Sequence, residues 1–257
     1  MFKKYFEGKK AVFFDLDGTI VKKTEDLKIQ ALQKTLNDNG AWYINASEYS
    51  FPGYPFEESW RAIRDLSRLP EKKSIKEWVD LTIKNYLEII KNTEMEETEG
   101  FWIFADELKN ERGIKLALVT NSYKDVTEAV LEKIGASGLF DVMVCGDEVK
   151  RLKPDPEMLK KAAKMLRVKN REVLVFEDSV PGSEASKKAG MDTIIIWNGV
   201  TPKYNYEGKI LDFLEDFSIL HGKLDETEFE YVTRQLKEAS EETRAAKETS
   251  KKPKEVD

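Results

Sequence analysis

The chain has 257 residues, 40% of them hydrophobic and 35% charged, enough to bury one sizeable core plus a small accessory unit. Its net charge of −6 argues against nucleic acid as the main partner, since phosphate backbones are bound through an excess of Lys and Arg, although a locally positive pocket can still take a small anion. One cysteine leaves no intramolecular disulfide framework, and no run approaches the ~20 apolar residues of a membrane span. With no apolar stretch of signal-peptide type behind Met1-Phe2-Lys3-Lys4, a cytoplasmic protein without a membrane partner is expected.

The first strong element is the apolar run Ala11 to Phe14, which stops abruptly at Asp15-Leu16-Asp17-Gly18. That pattern reads as a buried strand delivering acids to the edge of a sheet. Two carboxylates one residue apart repel each other unless a cation holds them, so the spacing points to a divalent metal with a phosphate-like anion opposite; an acidic turn is the plainer alternative. After Ile20 the chain becomes polar, and then Leu27, Ile29, Ala31, Leu32 and Leu36 recur at helical spacing until Asn39-Gly40. Phe51 to Pro55 reads as a loop, and Glu57 to Leu69 as a helix ended by Pro70. Ser74 and Glu77 form a capping-box pattern ahead of a third helix whose apolar face runs through Trp78, Val79, Ile83, Tyr86 and Ile90. A helical unit over 21–99 is expected, with hinges near Val21 to Thr24 and Glu97 to Gly100.

From Phe101 onward helices alternate with short apolar runs. A helix from Phe101 to Glu111 precedes a strand from Lys115 to Thr120, and a helix around Val126 to Lys133 precedes the strand Val142 to Cys145. Asp155-Pro156 starts another helix, Val173 to Phe176 is the next strand, Ser183 to Ala189 a short helix closed by Gly190, and Thr193 to Trp197 the last strand. This order makes an α/β fold with a mainly parallel sheet covered on both faces. The chain divides into core segments 1–20 and 100–222, the helical unit 21–99, and a polar tail 223–257 expected as a solvated helix fraying into disorder.

Four stretches carry a family resemblance. Asp15-Leu16-Asp17-Gly18-Thr19 resembles the first motif of the haloacid dehalogenase (HAD) superfamily of phosphohydrolases, Leu116 to Ser122 the second, Lys153-Pro154-Asp155-Pro156 the third, and Val173 to Ser179 the fourth. Each is weak alone, but together and in order they are specific. The resemblance implies a Rossmann-like core in which the Asp15 strand is central, flanked by the strands leading to Thr120 and Asp178, with ligands at the switch point. It also implies hydrolysis of a small-molecule phosphate ester with Mg²⁺ as cofactor.

Asp15 is the expected nucleophile, because a carboxylate can accept a phosphoryl group and split one hard displacement into two. Asp17 is expected to protonate the leaving oxygen and then activate water. Haloacid dehalogenases proper lack that second aspartate, which favours phosphate chemistry here. Asp15, the Asp17 carbonyl and Asp178 are the expected Mg²⁺ ligands, with Glu177 acting through water or orienting a ligand. Gly18, Thr120, the backbone N–H of Asn121, and Lys153 are expected around the phosphate, Lys153 neutralising its charge.

Within the helical unit, Gly53-Tyr54-Pro55-Phe56-Glu57 resembles the specificity loop of helical, C1-type HAD caps, which makes Tyr54, Trp60 and Arg61 candidates for leaving-group contacts; aromatics at helical spacing equally suit a packed core. A sugar-phosphate mutase sharing all four motifs, a phosphonate hydrolase using a cap lysine, and a non-catalytic interaction module remain open alternatives. Cys145 and Arg151 have the spacing of a cysteine phosphatase, but Asp147 and Glu148 would place negative charge inside such a cradle and raise the thiol pKa, so Cys145 reads as a buried strand residue. The lone His221 lies far from every motif. The sequence carries no sign of oligomeric state.

Overall fold

A computed structural model describes residues 5–66, 69, 72–221, 233 and 237. The expected helix stop at Pro70 and nearly all of the tail lie outside the described residues. The strands are β1 (Ala11–Phe14), β2 (Val21–Lys22), β3 (Glu96–Glu97), β4 (Lys115–Val119), β5 (Val142–Val144), β6 (Val173–Glu177), β7 (Asp192–Ile196) and β8 (Lys209–Leu214). Six of them form one sheet in the order β5-β4-β1-β6-β7-β8, and every neighbouring pair is parallel. The α/β, Rossmann-like expectation holds, with the Asp15 strand between the Thr120 and Asp178 strands.

The sheet is covered on both sides because its central strands are apolar except for Lys115 at the start of β4 and Glu177 at the end of β6. Alternate residues of β1 join different clusters. Val12 and Phe14 pack with Leu118, Phe176, Phe104 and Phe217 on one face. Ala11 and Phe13 pack with Val119, Val175, Leu159 and Ala185 on the other. Phe14 stacks on Phe176 at 5.4 Å between centroids and meets Phe101, Phe104 and Phe217 edge-on, so that each ring adds directional packing to its burial.

The helices are α1 (Thr24–Asp38), α2 (Phe56–Leu66), α3 (Ile75–Asn92), α4 (Phe101–Asp106), α5 (Lys124–Lys133), α6 (Glu157–Leu166), α7 (Val180–Ala189) and α8 (Ser218–His221). The capping box forms at the start of α3: Glu77 N donates to Ser74 Oγ at 3.2 Å and Ser74 N donates to Glu77 Oε2 at 2.7 Å. Helices α1, α2 and α3 enclose a cluster of their own, including Leu32, Leu36, Trp60, Ile63 and Trp78. Another edge of the same helices, through Ala31, Tyr86 and Ile90, joins the cluster on the sheet. None of the described helices is long and apolar enough to cross a membrane.

Two features depart from the sequence reading. Strand β8 adds a sixth strand beyond the one expected last, and a register shift between Thr193 and Ile194 accompanies its pairing with β7. Being an edge strand it buries itself only partly, and Lys209 and Asp212 break the apolar run that would have revealed it. The polar crossings at Val21 and Glu97 are paired antiparallel as β2 and β3, Val21 opposite Glu97 and Lys22 opposite Glu96.

Candidate active site

The reversal of strand order on either side of β1 leaves a crevice at its carboxyl end, and the motif residues gather there. Asp15 follows β1 and its N–H donates to Phe176 O at 3.0 Å, while Thr120 follows β4 and its N–H donates to Val144 O at 3.1 Å. Buried Lys153 Nζ donates to Asp15 Oδ1 at 2.7 Å, Val119 O at 2.7 Å and Glu177 Oε1 at 2.5 Å. Those contacts use all three of its protons. Asn121 joins two loops: its Nδ2 donates to Gly53 O at 2.9 Å and Lys153 O at 3.2 Å, and its Oδ1 accepts from Lys153 N at 2.9 Å.

Asp15, Glu177 and Asp178 each bring a carboxylate oxygen within 4.8 Å of the others. Glu177 is saturated by protein donors: Asp178 N at 3.0 Å, Ser179 N at 3.0 Å and Ser179 Oγ at 2.8 Å reach Oε2, and Lys153 holds Oε1. Close approach requires glycine twice. A Cβ on Gly18 would lie 2.0 Å from Asp178 Oδ2, and one on Gly182 would lie 1.8 Å from Glu177 Oε1. Burial pushes Asp15 up to about 7, with Glu177 and Asp17 adding to the push and Lys153 opposing it. Asp178 is pushed up by burial and then by Glu177 and Asp15. The cluster therefore holds more negative charge than Lys153 offsets, on hard oxygen donors, and a hard divalent cation fits it.

Asp17 sits in a different field. Its Oδ2 accepts from Ser122 Oγ at 2.5 Å and pairs with Lys28 Nζ at 3.1 Å. Burial opposes its charge, but Lys28 and the Ser122 hydroxyl outweigh burial and hold it below the usual carboxylate range. Asp17, Gly18, Lys28, Gly53 and Asp178 line a cavity of about 680 Å³ that extends to Trp197 and Val200, a volume suited to a small-molecule ligand.

A family model described as haloacid dehalogenase-like hydrolase matches residues 12–196. The chain belongs to that family. It is 34% identical over 213 residues to a phosphorylated carbohydrates phosphatase of Thermotoga maritima, covering 78% of this chain and 89% of that protein. It is 29% identical over 197 residues to a phosphoglycolate phosphatase of Aquifex aeolicus, covering 74% and 86%. Its fold matches the crystal structure of CbbY from Rhodobacter sphaeroides in complex with phosphate with a TM-score of 0.71 at 25% identity, covering 82% of this chain and 96% of that one.

Of the residues that the HAD resemblance singled out, Asp15, Asp17, Gly18, Thr120, Asn121, Lys153, Glu177 and Asp178 come together at this sheet edge. Thr120 Oγ1 accepts from Ser122 N at 3.1 Å. Tyr54 lines a small chamber beside Lys28 and Ser122. Arg61 is exposed and pairs with Glu58, and it lines neither cavity. Trp60 is buried, stacked on Trp78 at 4.6 Å with Nε1 donating to Thr82 Oγ1 at 3.0 Å, so it belongs to the helical cluster. Cys145 is buried and its thiol is pushed up to about 11 by burial, with Glu148 and Asp147 adding to the push. Arg151 pairs with Asp155 and Glu157 and not with a phosphate cradle. The side chain of His221 lies outside the described residues.

Three neighbours of the site escaped sequence reading. Lys28 lies on α1 one turn after buried Thr24 and one turn before buried Ala31 and Leu32. A lysine on the buried face of a helix was the available signal. Ser122 lies inside the second HAD motif. Tyr206, between β7 and β8, donates its hydroxyl to Asp178 O at 2.8 Å, and no pattern in its own segment marks it.

Proposed function

We propose that this HAD hydrolase removes phosphate from a small soluble phosphomonoester in two displacements at Asp15. A carboxylate oxygen of Asp15 bonds to phosphorus as the bond from phosphorus to the leaving oxygen breaks, and protonated Asp17 gives that oxygen its proton. Water then attacks the aspartyl-phosphate, its proton passes to Asp17, and the bond from Asp15 to phosphorus breaks to release inorganic phosphate. The ionised Asp17 held by Lys28 is the base this second displacement needs. The first needs the acid, so entry of the leaving group must loosen the hold of Lys28.

Thr120 and the Asn121 N–H are assigned to the phosphate oxygens, Lys153 to neutralising the phosphate charge from its place beside Asp15, and Glu177 to orienting Lys153 and the Asp178 loop. Mg²⁺, held by Asp15, Asp178 and the Asp17 carbonyl, would supply the positive charge that lets a phosphate dianion approach a carboxylate. Residues 21–99 are assigned to a cap that closes through the β2 and β3 crossings and keeps stray water out between steps.

The observation that carries this reading is the separation of the two aspartates: Asp15 shares a crowded acidic cluster with Lys153, while Asp17 two residues on is paired with Lys28 and Ser122. The names of the Thermotoga and Aquifex relatives support a phosphorylated small molecule as substrate. A screen of phosphorylated metabolites for released phosphate, with and without Mg²⁺, tests it. Mg²⁺-dependent release is expected. Isomerised sugar phosphate without release would make the protein a mutase, and no turnover of any ester would leave a binding module.

A further inference from the structure

A second, smaller chamber opens between the helical segment and the second motif, walled by Lys28, Tyr54, Phe56, Tyr86, Ser122 and Tyr123. Its volume is about 30 Å³. A water needs roughly 10–15 Å³ by this measure, so the space holds about two waters or one hydroxylated carbon. Four of its ten lining residues are aromatic, and one of these carries a polar atom with no partner among the described residues: Tyr86, almost fully buried on α3, makes no hydrogen bond through its hydroxyl. A buried hydroxyl left unpaired is costly, and such groups in native proteins have a reason to be there.

The chamber adjoins the reacting centre. Lys28 and Ser122, two of its walls, are the side chains that hold Asp17 Oδ2. Asp17 Oδ1 is itself buried and has no hydrogen-bond partner among the described residues. Burial drives the Tyr86 hydroxyl far above its ordinary range, the Asp17 charge adds to the effect and Lys28 opposes it. The Tyr86 ring packs edge-to-face with Phe56, their centroids 5.9 Å apart and their planes at 89°.

We propose that this chamber seats the carbon next to the ester carbon of the leaving group, and that Tyr86 hydrogen-bonds the hydroxyl on it. The inference rests on the phosphatase reading above and narrows it: the substrate is a polyol or sugar phosphate hydroxylated beside the phosphorylated carbon. Simple alkyl and aryl phosphates leave the Tyr86 hydroxyl unmatched. A site built to bond a substrate hydroxyl discriminates strongly against analogues lacking it, because its own buried group is then unpaired.

The test compares glycerol 1-phosphate, 2-hydroxypropyl phosphate and propyl phosphate with the unaltered protein and with Tyr86→Phe. For the unaltered protein, kcat/KM is expected to fall at least about tenfold from 2-hydroxypropyl to propyl phosphate. In Tyr86→Phe that gap is expected to close, through loss on the hydroxylated esters alone. Hydrolysis of all three esters with no preference for the hydroxyl, or a preference that survives Tyr86→Phe, overturns the assignment of Tyr86 and leaves the phosphatase reading standing. Failure of the unaltered protein to release phosphate from any ester overturns that reading instead. Where the variant folds poorly, the substrate series on the unaltered protein still separates a hydroxyl-binding chamber from an indifferent one.

Discussion

Lys28 Nζ stands 3.1 Å from Asp17 Oδ2, an ion pair between the first helix of the insertion and the loop that follows the central strand. Both groups are largely buried, so their attraction is less screened than on a surface. The helical segment thus sets the charge of a carboxylate in the core: any motion that draws α1 away also removes the cation that keeps Asp17 ionised.

Replacing that cation tests the coupling. Lys28→Met is expected to lower kcat about 10- to 100-fold, less than the ~10²- to 10⁴-fold that general acid–base catalysis contributes outright, with a much smaller change in KM. Water attack suffers most, because without the Lys28 charge burial leaves less of Asp17 ionised to take the proton, so phosphoenzyme should accumulate in rapid-quench samples. Lys28→Arg, which keeps the charge, should recover part of the rate. An unchanged kcat in Lys28→Met would make the pair incidental.

Asp15 and Cys145 give opposite expectations. Asp15→Asn should reduce turnover by more than about 10⁴-fold, as loss of a nucleophile does. Its melting temperature should not fall, because Asp15 is already pushed up to about 7 by burial and by Glu177 and Asp17, and a neutral side chain relieves that crowding. Cys145→Ser should keep most activity. With the thiol pushed up to about 11, only about one part in a thousand is thiolate at pH 8, so alkylation of the native protein should be far slower than in denaturant.

The contrast between these residues also shows what the sequence made legible. Asp15, Thr120, Lys153 and Asp178 follow or link apolar strand runs, and an apolar run that stops at a polar residue can be read without coordinates. Tyr206 reaches Asp178 O from 28 residues away across a loop, and a contact of that range leaves no local periodicity. Tyr86 was legible as part of an apolar helical face, but not as a hydroxyl without a partner, since partners depend on packing. Arg61 shows the reverse failure: a residue close in sequence to the Gly53 loop is carried away from the site by the turn of α2.

At the opposite edge of the sheet, Lys9 Nζ donates to Asp192 Oδ2 at 2.8 Å, and Lys209 Nζ pairs with Asp192 Oδ1 at 2.9 Å. Burial opposes the charge of Asp192, but the two lysines outweigh it and hold its pKa below the usual value. A carboxylate depressed in the folded state adds stability above its unfolded pKa, near 3.9, and loses that contribution as pH falls through the lower folded value. Asp192→Asn should therefore destabilise the protein by about 1–3 kcal/mol at pH 7, seen as roughly 2–4 °C of melting temperature for each kcal/mol. The gap between variant and parent should narrow below about pH 4. A gap that stays constant from pH 7 to pH 3 would show that lost packing, not charge, is responsible.

Tyr206 offers the most selective test of the acidic cluster, because its hydroxyl touches the backbone of Asp178 and not its carboxylate. Asp178→Ala removes an anionic oxygen donor and should raise the Mg²⁺ requirement steeply. Tyr206→Phe leaves every donor in place and frees only the loop that presents one of them. A positioning role predicts a several-fold higher Mg²⁺ concentration for half-maximal rate, with kcat at saturating Mg²⁺ within about twofold of the parent, since supporting hydrogen bonds tune metal affinity more than chemistry. Stabilisation of the fold by added Mg²⁺, read as a melting shift in the absence of substrate, should weaken in parallel, because a ligand that binds only the folded state stabilises it by an amount that grows with the logarithm of its affinity. If Tyr206→Phe lowers kcat at every Mg²⁺ concentration and leaves the Mg²⁺ dependence alone, the hydroxyl serves the fold of the loop between β7 and β8 and not the metal site.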